Sequence, residues 1–292
     1  MDFSLEGYLD TLDYDPRKDD PLIPIYEAIM NGLEACQEAK CSNPTVKVII
    51  QRAYTEQPLN GINKTKVAPI DEFVIEDNGV GFTKSNQDNF KEVNRTNKQN
   101  HKGIGRTLWL KSFTEVEIQS VYRNGRSREK IRFSFKNSNK DSIVNLESNC
   151  VDIEQTGSKV ILKNIKDTYV KRYSKSFENI TNSIKAQFLP YLLAHKNVKV
   201  VVIEDGEQEV LEAKNIRTKE STFYLDDTLF KVISIKVDTD YFKRKHNTAY
   251  CAGGRVVRRE SIKKINNEIV TKDGKFWYQC FVLSEFLDRN VT

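Results

Sequence analysis

The sequence predicts an α/β chain, with helices on one face of a mixed β-sheet and a smaller second α/β domain after it. Three observations predict this. Pro24 to Ala39 repeats its apolar residues on a helical period; short runs rich in Val, Ile and Phe alternate with that helix and a later one; and a second group of strand-like runs begins near Glu207.

Met1 to Asp20 is acidic and has too little apolar content to pack alone. After the helix, Val46 to Arg52 and Glu72 to Glu76 read as strands separated by a polar loop. Phe82 to Lys102 has no periodicity and is rich in Asn, Gln and Lys, so a long mobile loop is expected there. Val116 to Tyr122 and Ile131 to Phe135 flank Asn124-Gly125, a hairpin signal. A strand around Val160, a helix from Tyr173 to His195 and a strand from Val198 to Glu204 complete a first domain over 1–206. In the second, 207–292, strands are expected around Thr222 to Tyr224, Phe230 to Val237, Tyr250 to Val257 and Phe276 to Leu283. Turns are expected at Gly253-Gly254 and Asp273-Gly274.

Three short motifs carry chemistry. On a 3.6-residue period, Ala28, Ile29, Gly32, Leu33 and Cys36 share one stripe, and Glu27, Asn31, Glu34 and Glu38 lie opposite. An ordinary amphipathic surface helix has this pattern; so does a helix whose polar face lines a site. In the second case the Asn31 carbonyl oxygen suits Mg²⁺, which takes few protein ligands and keeps several waters. Glu27, one turn earlier, is placed to accept a proton from an attacking water. Asp77 ends a strand just before Gly79 and Gly81. Its carboxylate could accept a hydrogen bond from an exocyclic amine while the glycines let backbone approach a flat base, although an Asn78-Gly79 turn follows many ordinary strands. Gly103, Ile104 and Gly105 precede an apolar helical run, so backbone N–H groups there could face an anion, with Lys102 and Arg106 nearby. A glycine hinge before a core helix, with Leu108, Trp109 and Phe113 packing, is the other reading. In this order and spacing the three have the layout of a Mg·ATP pocket.

These motifs make the chain resemble the GHKL superfamily of gyrase B, heat-shock chaperone, histidine kinase and MutL ATPases. Glu27 to Ala35 is similar to its first box, Asp77 to Gly81 to its second, and Lys102 to Gly105 to its third. Thr156 to Leu162 is similar to the Gly-Thr box on a returning strand. The resemblance spans about Pro21 to Gly206. It implies a Bergerat-type ATP-binding domain, with Glu27 as general base, Asn31 as Mg²⁺ ligand and Asp77 as adenine reader supported by Ser158. Glu34, Gly79, Gly81, Lys102, Gly103, Ile104, Gly105 and Arg106 complete the nucleotide contacts. It also implies a lid over 82–102, an N-terminal strap over 1–20 passed to a partner subunit, and an ATP-dependent homodimer. Ser158 stands in place of the usual threonine and keeps a hydroxyl; Glu34 stands where aspartate is more common. Ala249 to Val257 is similar to a strand-turn motif of the transducer domain of MutL relatives, so 207–292 reads as a transducer-like domain, short enough to be incomplete.

The implied function is Mg²⁺-dependent ATP binding and hydrolysis, used as a conformational or dimerisation switch. A non-hydrolysing nucleotide sensor or a nucleic-acid-binding module remains open. A histidine kinase catalytic domain is disfavoured, because those usually lack a carboxylate four residues before the metal-binding asparagine, the position of Glu27. No Walker-type run and no Gly-x-Gly-x-x-Gly after a strand are present, which excludes P-loop and Rossmann readings.

Composition sets the remaining expectations. With 292 residues, 38% hydrophobic and 30% charged, the chain can bury a sizeable core. It has no apolar run of membrane-spanning length and no basic-then-apolar N-terminus, so a cytoplasmic protein that does not enter a membrane is expected. Five cysteines without Cys-x-x-Cys spacing predict reduced thiols. His101, His195 and His246 are too scattered for a zinc site. Lys243 to Lys264 holds eight basic residues (Lys243, Arg244, Lys245, Arg255, Arg258, Arg259, Lys263, Lys264) and one acid, Glu260, for a local charge of +7 against +5 for the whole chain. Nucleic acid is a candidate partner for that run, and a solvated face is the alternative.

Overall fold

Pro24 lies in the first turn of helix α2 (Ile23–Glu38), where its missing N–H costs nothing. The helix buries the expected stripe of Ala28, Ile29, Gly32, Leu33 and Cys36 together with Ile25 and Tyr26. It ends in a Schellman turn: Lys40 takes φ +51°, its N–H donates to Gln37 O at 3.1 Å, and the Cys41 N–H donates to Cys36 O at 3.3 Å. The computed structural model describes residues 5–53, 68–91, 104–137, 142–152, 155–173, 175–237, 245–265, 267–272 and 274–290. Among these, seven helices and fourteen strands form an α+β chain with two mixed sheets. No helix among the described residues is long and apolar enough to cross a membrane.

The first sheet contains β1 (Thr45–Arg52), β2 (Ile70–Asp77), β3 (Phe113–Asn124), β4 (Ser127–Lys136), β5 (Ile143–Cys150), β6 (Gly157–Ile165), β7 (Lys199–Glu204) and β8 (Glu207–Leu211). Their order is β5-β4-β3-β6-β2-β1-β7-β8, and only the β1–β7 pair is parallel. Because side chains alternate along a strand, one face stacks level rows across the sheet. Ile50, Phe73, Leu162, Val116 and Phe135 form one row; Val48, Ile75, Val160, Ile118 and Phe133 form the next. Helices α2 and α4 (Ile104–Ser112) pack on this face, and the buried Trp109 Nε1 donates to Pro24 O at 3.0 Å. The opposite face carries ion pairs between Glu115 and Lys136, Glu117 and Arg132, Glu117 and Lys163, and Glu76 and Lys159. Sequence alternation therefore corresponds to one dry face and one wet face.

Two expected features of this unit differ. The 82–102 stretch is not loop throughout. Helix α3 (Lys84–Lys91) forms within it, and Phe90 buries against Phe82, Phe133 and Phe135 at ring separations of 5.3, 5.5 and 5.1 Å. One aromatic anchor compensates for an otherwise polar helix; 92–102 lies outside the described residues. The N-terminal segment also packs. Helix α1 (Leu5–Thr11) buries Leu9, Tyr14 is buried, and Arg172 donates to Pro16 O at 3.2 Å and Asp19 O at 2.7 Å. Tyr26 Oη donates to Asp20 Oδ2 at 2.9 Å. The acidic segment is held by partners distant in sequence, so its own low apolar content does not decide its state.

Contacts divide the chain into 1–177 with 199–211, and 178–198 with 212–292. The expected boundary at 206/207 differs in two respects. β8 pairs with β7 and belongs to the first sheet, and most of helix α6 (Phe177–Ala194) belongs to the second unit. That unit contains β9 (Thr218–Leu225), β10 (Thr228–Val237), β11 (Asn247–Ala252), β12 (Arg255–Ser261), β13 (Ile269–Thr271) and β14 (Gly274–Leu283), with α7 (Glu285–Asn290). Its sheet order is β12-β11-β14-β10-β9, and β13 pairs with β14. Gly253 and Gly254 turn β11 into β12 at φ +56° and +77°. A Cβ at Gly254 would come within 2.6 Å of the Tyr191 ring, so only glycine fits. Gln187 Nε2 donates to Val256 O at 2.8 Å and Arg259 donates to Ala186 O at 3.1 Å, tying α6 to β12.

The basic run does not form one uniform surface. Arg259 turns to α6, Arg258 pairs with Glu260, and Lys245, Lys263 and Lys264 are exposed. Lys243 and Arg244 lie outside the described residues, as does Asp273 of the expected Asp273-Gly274 turn.

Candidate functional site

The helix-covered face of the first sheet is apolar row by row until its last level, where the row reads Val46, Asp77, Ser158, Ser120. A carboxylate and two hydroxyls thus occupy positions that the pattern below them fills with aliphatic side chains. Ser120 Oγ donates to Gly157 O at 2.8 Å, lies 3.1 Å from Ser158 Oγ, and accepts from the Phe82 N–H at 2.7 Å. Burial raises the Asp77 carboxyl pKa to about 6, against the lowering effect of bonds from the backbone of Gly79 and Ser158. The Gly79 N–H donates to Asp77 Oδ1 at 2.8 Å.

Glycines make this row possible. A Cβ on Gly32 would lie 3.2 Å from both Asp77 Cβ and Val46 Cγ2, so α2 sits directly over the carboxylate. A Cβ on Gly79 would lie 2.4 Å from the Ala35 carbonyl carbon, and the Val80 N–H donates to Ala35 O at 3.2 Å. Gly81, at φ +76°, would clash with Val121 O at 2.1 Å. The Asp77-to-Gly81 turn is therefore pressed between α2 and β3, a much tighter environment than an ordinary surface turn.

Glu27 and Gly105 also meet. A Cβ on Gly105 would lie 2.4 Å from Glu27 Oε2, so the carboxylate occupies the space that a side chain in the first turn of α4 would fill. A carboxylate near a helix start is favoured by the helix dipole. Asn31 and Glu34 are exposed on α2, on the polar face that Glu27 shares. The Arg106 guanidinium lies 4.7 Å from the centroid of the Phe90 ring, a cation–π contact that ties the start of α4 to α3. Lys102 and Gly103 lie outside the described residues, and of Ile104 only the backbone position at the start of α4 is described.

The sequence reading passed over Ser120, and it named Thr156 and Asn78 only as members of a box and of a turn, without a role. Thr156 Oγ1 donates to Gly79 O at 2.7 Å. Asn78 Oδ1 accepts from the Thr45 N–H at 2.9 Å, and its Nδ2 donates to Asn43 O at 2.9 Å. Ser120 had a legible signal: it breaks the alternating series Val116, Ile118, Ser120, Tyr122 on the core face. Among the described residues, no group of three or more His, Cys, Asp or Glu side chains is placed to hold a metal. Mg²⁺ requires no such group, since one amide oxygen with waters and phosphates is an ordinary set for it. No protein-family model matches the chain, and a search of curated proteins gives no match.

The raised Asp77 pKa has a stability consequence of definite sign. Between the unfolded value near 3.8 and the folded value of about 6, the folded state binds more protons, so this group's contribution falls as pH rises through that window. Chemical denaturation of parent and Asp77→Asn at pH 4 and pH 7 tests this. Relative to the parent, the variant should gain stability from the lower to the higher pH. An equal difference at both pH values would refute the burial account.

Proposed function

We propose that the first unit is a Mg²⁺-dependent ATPase of the GHKL kind, with a Bergerat-type nucleotide site between α2, the end of β2 and the start of α4. The observation that carries this reading is the Asp77–Ser158–Ser120 row beneath Gly32, half-buried at Asp77 and Ser158 and buried at Ser120, with Glu27 beside Gly105 on the same helix pair. In this reading the Asp77 carboxylate accepts the exocyclic amine of adenine, and Ser158, anchored by Ser120, fixes that edge of the base. Gly79 and Gly81 give the base a backbone surface to lie on. Gly103, Ile104 and Gly105, with Lys102 and Arg106, present N–H groups and positive charge to the phosphates.

Glu27 accepts a proton from the attacking water, beside the first turn of α4. Asn31, one turn along α2, is the residue that would hold Mg²⁺ through its carbonyl oxygen, with Glu34 bordering the same face. The metal supplies charge neutralisation at the phosphates. Hydrolysis is favoured over a non-hydrolysing sensor because a carboxylate, Glu27, lies beside the glycine at the start of α4 that this reading assigns to the phosphates; a sensor would require only the adenine and phosphate contacts. The second unit is proposed as the transducer-like partner of this site, and nucleic acid as a ligand of its exposed Lys245, Lys263 and Lys264.

Nucleotide-controlled homodimerisation belongs to the same proposal. Since residues 9–20 pack on their own chain, passing a strap to a partner requires the Arg172 and Tyr26 bonds to break first. Glu27→Gln keeps shape and removes the base. It should bind ATP within a few-fold of the parent and lose roughly 10²-fold or more in turnover. Light scattering on this variant should show a monomer that becomes a dimer with a non-hydrolysable ATP analogue and Mg²⁺. Unchanged turnover would remove Glu27 from its role, and a persistent monomer would remove the switch.

A further inference from the structure

The Schellman turn that ends α2 brings two cysteines to one neighbour. In such a turn the side chain at the last fully bonded carbonyl packs against the one that follows the left-handed residue. Here these are Cys36 and Cys41, linked by the Cys41 N–H to Cys36 O bond at 3.3 Å. Both thiols face Asn78. Cys36 Sγ–H donates to Asn78 Oδ1 at 3.2 Å, and Cys41 Sγ–H donates to Asn78 O at 3.0 Å. Cys36 is buried and Cys41 is partly exposed. Among the described residues, no other pair of cysteines is joined through one shared residue in this way.

We propose that Cys36 and Cys41 are a peroxide-sensitive thiol pair whose disulfide releases Asn78 and loosens the turn from Asp77 to Val80. The steps balance with hydrogen peroxide as oxidant. The accessible Cys41 sulfur attacks one peroxide oxygen, the O–O bond breaks, and the departing hydroxide takes up the thiol proton as water, leaving Cys41–SOH. The Cys36 sulfur then attacks the Cys41 sulfur; the S–S bond forms, the S–OH bond breaks, and the hydroxide leaves with the Cys36 proton as a second water. Two thiols lose two protons and two electrons, and one peroxide becomes two waters. Burial pushes the Cys36 thiol up to about 12, which keeps it protonated and slows the second step, but the backbone bond between the two residues and their shared neighbour Asn78 keep them close, which offsets that cost.

The structural consequence follows from the donors that are consumed. Both S–H groups that bond Asn78 disappear on oxidation, leaving its carbonyl without the Cys41 donor and its side chain to Thr45 and Asn43 alone. A disulfide needs Cα atoms about 4.4–6.8 Å apart, a span that a turn closed by a bond five residues back can meet. Asn78 lies between Asp77 and Gly79, so its release changes the backbone that holds the half-buried Asp77 carboxylate. The inference concerns a covalent modification and stands whether or not the site takes a nucleotide.

The test uses the complete protein treated with hydrogen peroxide and mapped with trypsin without reduction. Lys40 separates the two cysteines, so a disulfide links two tryptic peptides that part on reduction. The expected results are that linked pair, its absence in Cys41→Ser, and several-fold faster amide hydrogen exchange at Gly79 and Val80 in the oxidised parent, reversed by dithiothreitol. Cys41 found only as sulfinic acid, sulfonic acid or an intermolecular disulfide would overturn the pairing. A linked pair with unchanged exchange at Gly79 and Val80 would overturn the coupling to the turn.

Discussion

The close seating of α2 on the end of β2 is the constraint on which the rest depends. Gly32 lets the helix axis approach until its backbone lies over the Asp77 side chain, and Gly79 lets the following turn run against Ala35. The Ala35 carbonyl, which accepts the Ala39 N–H at 3.0 Å, then takes the Val80 N–H as a second donor at 3.2 Å. A larger residue at either glycine would move the helix off the sheet and admit water to Asp77. The partial desolvation that raises the Asp77 pKa is thus a product of packing; the charge is held there by the Gly79 N–H and the Ser158 backbone.

From that contact the remaining geometry follows in two directions. Along the sheet, the polar level is carried from Asp77 to Ser158 and Ser120, and Ser120 reaches the Phe82 N–H and so fixes the beginning of the stretch that leads to α3. The cluster of Phe82, Phe90, Phe133 and Phe135 holds α3 to the sheet, and Arg106 over Phe90 connects α3 to α4. Along the helices, Trp109 binds Pro24 O and Gly105 receives the Glu27 carboxylate, which closes the circuit back to α2. Two carboxylates, Glu27 and Asp77, therefore face different surroundings: Glu27 lies at a helix start, and Asp77 lies beneath helix α2.

How much of this was legible in the sequence depended on how local the cause was. The α2 stripe, the strands around Val48 and Phe73, and the Asn124-Gly125 hairpin depend on residues a few positions apart, and each formed where its period placed it. Asp77 and Ser158 were legible as motif residues, but their pairing across β2 and β6 depends on strand register. Ser120 needed knowledge of which face of β3 is covered. Helix α3 escaped notice because Phe90 is its main apolar anchor and the partners of Phe90 lie on β4. The N-terminal segment escaped because it is held by Arg172, more than a hundred and fifty residues away. β8 is acidic and mostly exposed; only its ladder with β7 assigns it to the first sheet.

The central claim is that Asp77 reads an adenine amine, and a calorimetric cycle addresses it most directly. Parent and Asp77→Asn are each titrated, with Mg²⁺ present, with ATP and with the purine riboside triphosphate that lacks the exocyclic amine. The account predicts that removing the amine weakens binding to the parent by roughly tenfold or more, the scale of a hydrogen bond to a charged group. In the variant the same change should matter much less, giving a coupling between residue and amine. Equal affinity of the parent for both nucleotides, or no binding of either, would contradict the claim.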